Sequence, residues 1–189
     1  MKKIVILAVS LFLCLMMVGF VGCKSKKKTI NNEIGTLLED MPCEKEGKSD
    51  KNFFRASSMA TSTDLQLSKE KALLNAKQRL VTLINSNTKS VTDRYVNERE
   101  VGNAAEFEQK FENLTREVAD ETISNIVVTC EKSSVLPNKQ YRSFVAIQVS
   151  KDDVLNSISN RVSRDNKLQL DYDKKKFEEI FNEEMSKMR

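Results

Sequence analysis

The chain has 189 residues, with 31 Lys or Arg, 27 Asp or Glu and no histidine, and its formal net charge is +4. Six lysines near the N-terminus (positions 2, 3, 24, 26, 27 and 28) account for this excess, since the remainder from Thr29 has 25 basic and 27 acidic residues. That balance excludes the electrostatic footprint of a nucleic-acid-binding protein. The lack of histidine excludes histidine-based acid–base catalysis and histidine metal ligands.

The N-terminus has the pattern of a secretory signal peptide. Lys2 and Lys3 precede an uncharged apolar run over residues 4–22, which ends in Val21-Gly22-Cys23. A basic segment, an apolar segment and small residues at a cleavage point are typical of such a signal. A cysteine directly after the cleavage point resembles a bacterial lipoprotein signal. We therefore expect residues 1–22 to be removed and Cys23 to be acylated.

Two alternatives to the lipoprotein signal stay open. The 19 apolar residues are close to the roughly 20 that a spanning helix needs, so an uncleaved membrane anchor is one. A plain secreted form is the other. The lysines after Cys23 outnumber Lys2 and Lys3, which disfavours an anchor with its N-terminus inside and also makes export less ideal.

Residues 23–51 are rich in Lys, Asn, Glu and Ser and include Pro42 and Gly47. With few apolar residues to offset the entropy of ordering, they are predicted to form a lysine-rich flexible tether. Of the four cysteines, Cys43 and Cys130 remain after cleavage and acylation, in a compartment that permits disulfides. They either pair, or Cys130 is a small buried strand residue and Cys43 an exposed thiol.

The folded domain is predicted to begin near Asn52 with a strand over residues 53–60. A helix follows, for which Thr63 and Gln66 suggest a capping box. Its apolar stripe repeats at three- and four-residue steps and comprises Ala72, Leu73, Ala76, Leu80, Leu83 and Ile84. The pattern weakens over residues 85–89 and resumes towards Val101.

Gly102-Asn103 predicts a break, followed by a second helix with Phe107, Phe111, Leu114 and Val118 on one face. Two β-rich stretches, residues 126–130 and 140–149, flank Pro137-Asn138 and predict an antiparallel hairpin. The second stretch alternates, with Tyr141, Val145, Ile147 and Val149 on one face and Arg142, Phe144, Ala146 and Gln148 on the other.

Two further helices are predicted at the C-terminal end. Ser150 and Asp153 suggest a capping box for the first, with Val154, Leu155, Ile158 and Val162 as its stripe. Residues 173–189 form an amphipathic helix that either packs on the domain or projects as a contact for a partner helix. The expected class is α+β, a small antiparallel sheet (one strand, then a hairpin) on a long helix, with residues 52–163 as the domain and 164–189 as a C-terminal amphipathic helix.

The stretches FFRASSMATSTDLQLSKEKALLNAKQRL, VADETISNIVVTCEK and QYRSFVAIQVSKDDVL resemble the Lpp-twenty family of small bacterial lipoproteins, and the tail is similar to Bacteroides-type members. The resemblance implies a fold similar to dodecin-like or flagellar-assembly-lipoprotein domains. It carries over no catalytic residue. The family places a glycine in a turn after the first strand, where this chain has Ser57 and Ser58.

The sequence therefore predicts a non-catalytic cell-envelope lipoprotein, with no cofactor and no metal, that acts as a membrane-anchored binding or assembly module. Partners would be the membrane, through the lipid, and an envelope protein or a second copy. The outer membrane is expected, and lysines rather than acidic residues after Cys23 favour its periplasmic face over the cell surface. One alternative is a structural homo-oligomer, in which the hairpin edge or the C-terminal helix pairs between copies. The other is a carboxylate-dependent hydrolase, which would need acidic residues converging in a deep pocket.

Overall fold

The computed structural model describes residues 40–99, 101 and 103–187. Within them the elements are β1 (Phe53–Ser62), α1 (Leu65–Arg99), α2 (Ala104–Thr122), β2 (Val127–Val135), β3 (Tyr141–Ser150), α3 (Lys151–Val162), α4 (Leu168–Asp171) and α5 (Lys174–Ser186). Short 3-10 turns lie at Lys45–Gly47 and Ile123–Asn125. The predicted signal peptide (1–22), Cys23 and the first part of the predicted tether, to residue 39, lie outside the described residues.

The strands form one antiparallel sheet in the order β1-β3-β2. β3 is central: it pairs with β1 from Phe53↔Ser150 to Ser62↔Tyr141 and with β2 up to Val135↔Tyr141. The long helix α1 packs against β1 and β3. The predicted α+β class, a small antiparallel sheet on a long helix with C-terminal helices, is confirmed, whereas the dodecin-like label stays a prediction.

Both faces of β3 are buried. Val145, Ile147 and Val149 belong to the main core beneath the helices, as the alternation predicts. Phe144 and Ala146 point to the opposite face, where they form a small cluster with Cys43. We call this opposite side the back face of the sheet.

Residues 40–51 were assigned to the tether, but they pack on the sheet and belong to the compact unit that runs from Asp40 to Arg189. Cys43 is only 2% exposed on the back face. Gly47 approaches Ser57 so closely that a side chain at position 47 would collide with it. The predicted start at Asn52 is therefore about a dozen residues too late. The segment has few apolar side chains and is held by a disulfide and hydrogen bonds, which leave no periodic pattern.

α1 is one continuous helix of 35 residues. Over the stretch where its pattern weakens, the Asn87 and Thr88 side chains donate hydrogen bonds to carbonyls four residues earlier, at 2.7 and 2.9 Å. The predicted cap is wrong by one residue, because Asp64 Oδ1 accepts a hydrogen bond from the Leu67 N–H at 2.8 Å. Ser57 and Ser58 lie within β1 and not in a turn.

An aromatic cluster joins α1, α2 and the C-terminal helices. Tyr95 of α1 stacks on Phe107 at a centroid distance of 5.9 Å and meets Phe177 of α5 edge-on at 5.6 Å. The Tyr95 hydroxyl donates to the Asp171 carbonyl at 2.8 Å. The buried side of α5 comprises Phe177, Ile180, Phe181 and Met185. The last helix therefore packs on the domain rather than projecting from it.

Candidate functional site

The two cysteines predicted to remain free of the lipid anchor are joined in the structure. Cys43 and Cys130 form a disulfide across 87 residues of sequence, with their Cα atoms 5.5 Å apart. Cys130 lies in β2, next to a β-bulge between Val128 and Cys130. The bond therefore attaches the first described residues of the domain to the edge strand. Cys23, the predicted acylation site, is outside the described residues, so its placement stays a prediction.

The outer edge of β1 is covered over its first half. Ser49 Oγ accepts from the Arg55 N–H at 2.8 Å and donates to the Arg55 carbonyl at 3.2 Å. The Asp50 carboxylate accepts from the Phe53 N–H at 2.9 Å, and the Asp50 backbone N–H donates to the Phe53 carbonyl at 3.2 Å. The Arg79 side chain donates to a third outward carbonyl, that of Ser57, at 2.9 Å. These contacts occupy the groups to which another strand would bond.

The outer edge of β2 has no such cover among the described residues. The Leu136 N–H donates to the Gln140 carbonyl at 2.8 Å, which orients residue 136 towards β3. Orientation alternates along an antiparallel ladder, so the backbone groups of Glu131, Ser133 and Val135 point outwards. Within the described part of the chain no hydrogen bond reaches these outward groups. We call residues 131–135 the open edge.

Side chains along β2 are also uncovered. Val127, Val128 and Val135 are 56%, 47% and 67% exposed, more than any other valine among the described residues. One charged side chain is paired, since Lys69 of α1 lies 2.6 Å from Glu131. Val135 thus places one exposed apolar side chain beside the unpaired backbone groups of the open edge, while Val127 and Val128 lie before it in β2. Unpaired backbone groups are the feature through which an edge strand accepts an additional strand.

Two of the clefts elsewhere on the described domain are the next candidates. The larger of these two, about 680 Å³, lies between α2 and α3. Arg161 is paired within it, because it donates to Glu117 and to Glu121 at 2.7 Å each. The charge of Arg161 is thus compensated within the cleft, and it does not indicate a bound ligand.

The smaller cleft, about 330 Å³, lies between α1 and α2. The hydroxyls of Thr92 and Thr115 at this cleft donate to carbonyls four residues earlier, at 2.9 and 2.7 Å. Asn85 also lines the cleft, and its buried Oδ1 has no hydrogen-bond partner among the described residues. The cleft is a weaker candidate than the open edge, because the Thr92 and Thr115 hydroxyls are already bonded to the helices.

Three surface carboxylates with a lowered pKa, Glu98, Glu106 and Glu184, lie beside cations. A hydrogen bond from Lys176 holds the pKa of Glu98 below its usual value, and Arg94 acts in the same direction. Lys167 likewise lowers the pKa of Glu106. A carboxylic acid that donates a proton in catalysis needs the opposite shift. These pairs instead connect helices, as Arg94 does between α1 and Glu184 of α5 at 2.9 Å.

No family model, curated protein or solved structure matches this chain. Among the described residues no group of acidic or cysteine side chains is arranged to hold a metal ion. Within the same residues, no helix combines the length and the apolar character that a membrane span requires.

The sequence pointed to the edge of the hairpin as a surface for pairing between copies, but it did not identify which strand forms that edge. The hairpin was predicted, but hairpin patterns do not say which strand becomes central. The sequence does contain an indication of the strand order, because β3 carries apolar residues on both faces while residues 131–134 of β2 are all polar or charged. A strand that is apolar on both faces is buried between neighbours, which leaves the polar one at the edge.

Proposed function

We propose that this chain is a cell-envelope lipoprotein, acylated at Cys23, whose α+β domain is a non-catalytic binding or assembly module. The observation that carries the proposal is the contrast between the two edges of the sheet. β1 is covered by Ser49, Asp50 and Arg79, whereas the open edge of β2 has no partner within the described residues. An uncovered edge of a sheet, opposite an edge that is covered, is suited to strand addition.

The predicted anchor and the open edge are close along the connected chain. Seventeen peptide units separate Cys23 from Asp40, which limits the reach of this segment to about 60 Å even when fully extended. The disulfide then holds Cys43 against β2. Acylation at Cys23 would therefore keep the open edge near the membrane. The proposed location is the periplasmic face of the outer membrane. The Lpp-twenty resemblance supports the same assignment.

Acylation is tested on the full-length chain expressed in a bacterial host. Mass spectrometry of the membrane-extracted protein should find an N-terminus at Cys23 carrying a lipid, and Cys23→Ala should abolish both processing and lipid. Cys14→Ala is the matched control, because Cys14 lies inside the signal and its loss should change nothing. An unprocessed wild-type chain without lipid would contradict the anchor.

Two other functions make different predictions. A carboxylate-dependent hydrolase would lose activity on envelope substrates when the Glu117 and Glu121 pair is replaced by glutamines, while the fold persists. A purely structural homo-oligomer would bind nothing but itself. Purification from detergent-solubilised envelopes distinguishes these, since a binding module retains a second protein and a homo-oligomer retains only further copies.

A further inference from the structure

We infer that the open edge pairs with the same edge of a second copy, forming a six-stranded antiparallel sheet about a twofold axis. This inference rests on the proposed function and names a second copy as one partner of its assembly surface. A dimer that also retains a second protein is the proposed module, whereas a dimer that retains only itself is the structural homo-oligomer. In the resulting sheet the two β2 strands lie side by side at the centre. The two β1 strands form its outer edges.

A second copy is favoured over a strand from another protein because it leaves no new unpaired edge. A lone extended segment added to β2 would itself present a new unpaired edge. A second copy brings one open edge of its own, and pairing consumes both. The edges left outside are those of β1, which Ser49, Asp50 and Arg79 cover over the first half. Such an isologous contact closes at two copies and does not propagate.

Geometry leaves room for the contact. α1 packs on β1 and β3 and reaches β2 chiefly through the Lys69–Glu131 ion pair. The helical layer is therefore displaced from the edge at which the second copy would add. A twofold axis perpendicular to the sheet places both helical layers on the same side, without passing one helix through the other.

The sequence of β2 selects the register. Antiparallel pairing about a perpendicular twofold axis sets one residue opposite itself, and residues at equal distances on either side opposite each other. Centring on Glu131 or on Lys132 sets like charges opposite each other, which is destabilising. Centring on Ser134 brings Pro137, which lacks an N–H, opposite Glu131.

Centring on Ser133 avoids both faults. Residues 131–135 then pair completely, with Ser133 opposite Ser133 of the second copy and Glu131 opposite its Val135. Because Ser133 points its backbone groups outwards, the central pair is a hydrogen-bonded one with Cα atoms about 5.5 Å apart. That separation lies within the range a disulfide can bridge.

Cysteine cross-linking of the full-length chain in isolated membranes tests this register. Under the proposed function the wild-type mature chain has no free thiol, because Cys23 is acylated and Cys43 is bonded to Cys130. Oxidation of Ser133→Cys should give a covalent dimer. Glu131→Cys by itself should not, since its two copies would be four residues out of register, about 13 Å apart.

Two further cysteine experiments complete the test. Co-expression of Glu131→Cys with Val135→Cys should restore the dimer, because these residues lie opposite each other in the proposed register. Met59→Cys, an exposed position of β1, is the control for disulfides that form by random collision of copies. Equal dimer from Met59→Cys and Ser133→Cys, dimer from Glu131→Cys by itself, or no dimer from Ser133→Cys would each overturn the inference.

Failure of self-pairing and failure of the proposed function give different results. If self-pairing is wrong but the module function holds, Ser133→Cys gives no dimer while Cys23 still carries lipid. If the anchor itself is wrong, the extracted chain lacks lipid at Cys23, and this is seen in the same membranes by mass spectrometry.

Discussion

Cys43 is covalently bonded to Cys130, so the first residues of the folded domain are attached to its edge strand. Cys43 also packs against Phe144 and Ala146 on the back face of the sheet. The bond therefore covers part of the back face and brings Cys43, a residue of the predicted tether, to β2. One covalent link thus connects the proposed anchor with the proposed assembly surface.

Removing this disulfide is expected to lower the free energy of unfolding substantially. The bond closes a separation of 87 residues, for which the chain-entropy model gives about 4–5 kcal/mol. Urea unfolding of the purified wild-type protein should shift to lower denaturant on reduction. The double variant Cys43→Ser/Cys130→Ser should match the reduced protein and show no response to reductant. Identical midpoints for oxidised and reduced wild type would contradict the structural role.

The start of α1 gives a second prediction. Asp64→Ala removes the side chain that accepts from the Leu67 N–H and should cost about 1 kcal/mol of stability. Thr63→Ala is the matched control and should stay within about 0.5 kcal/mol of wild type. Thermal or urea unfolding measures both. A larger loss for Thr63→Ala than for Asp64→Ala would show that the cap lies one residue earlier.

Alkaline pH tests the packing of Tyr172. Burial raises the pKa of this phenol to about 12, above the value near 10 in an unfolded chain. The neutral phenol is thus favoured by folding, and its contribution is complete below pH 10 and lost as the pH rises through 12. After allowance for solvent screening, the loss should be several tenths to about 2 kcal/mol.

The measurement compares wild type with Tyr172→Phe, because burial also lowers the pKa of Lys151 and raises the pKa of Tyr95. The difference in free energy of unfolding between the two proteins should move in favour of Tyr172→Phe between pH 9 and pH 12. A difference that stays constant with pH would mean that Tyr172 is solvated in the folded protein.

Proline substitutions test the orientation of the open edge. The N–H of Ser133 points outwards, whereas that of Ser134 points towards Arg142 of β3. Ser134→Pro should therefore cost about 1–3 kcal/mol more than Ser133→Pro, because it removes a hydrogen bond of the ladder. Both costs are measured by urea unfolding. A larger cost for Ser133→Pro would indicate that the alternation along β2 is reversed, and equal costs would contradict the outward orientation of Ser133.

Local patterns predicted most of the elements. The stripes of α2, α3 and α5 and the alternation of β3 are periodic features that each segment carries by itself. Where the pattern depended on distant contacts it was misleading. α1 continues through residues 85–89 because Ile84 and Thr88 are fully buried, and that burial comes from packing which the local sequence does not reveal.

The candidate site was harder to predict from the sequence than the elements were, for a physical reason. Strand order depends on which strands bury both faces, and the cover on β1 comes from hydrogen bonds of Ser49 and Asp50 that no hydrophobic pattern reports. Residues 40–51 were placed in the tether because their composition is polar. In the structure they are held by a disulfide, and such a constraint is not encoded in composition.

The most direct test of the central claim is photo-cross-linking in intact cells with a photoreactive residue in place of Val135 of the full-length chain. We predict an adduct to a polypeptide at position 135, no comparable adduct from position 59, and loss of the adduct when Ser133→Pro blocks the edge. An adduct that persists with Ser133→Pro, or that forms equally from position 59, would contradict assembly through the open edge.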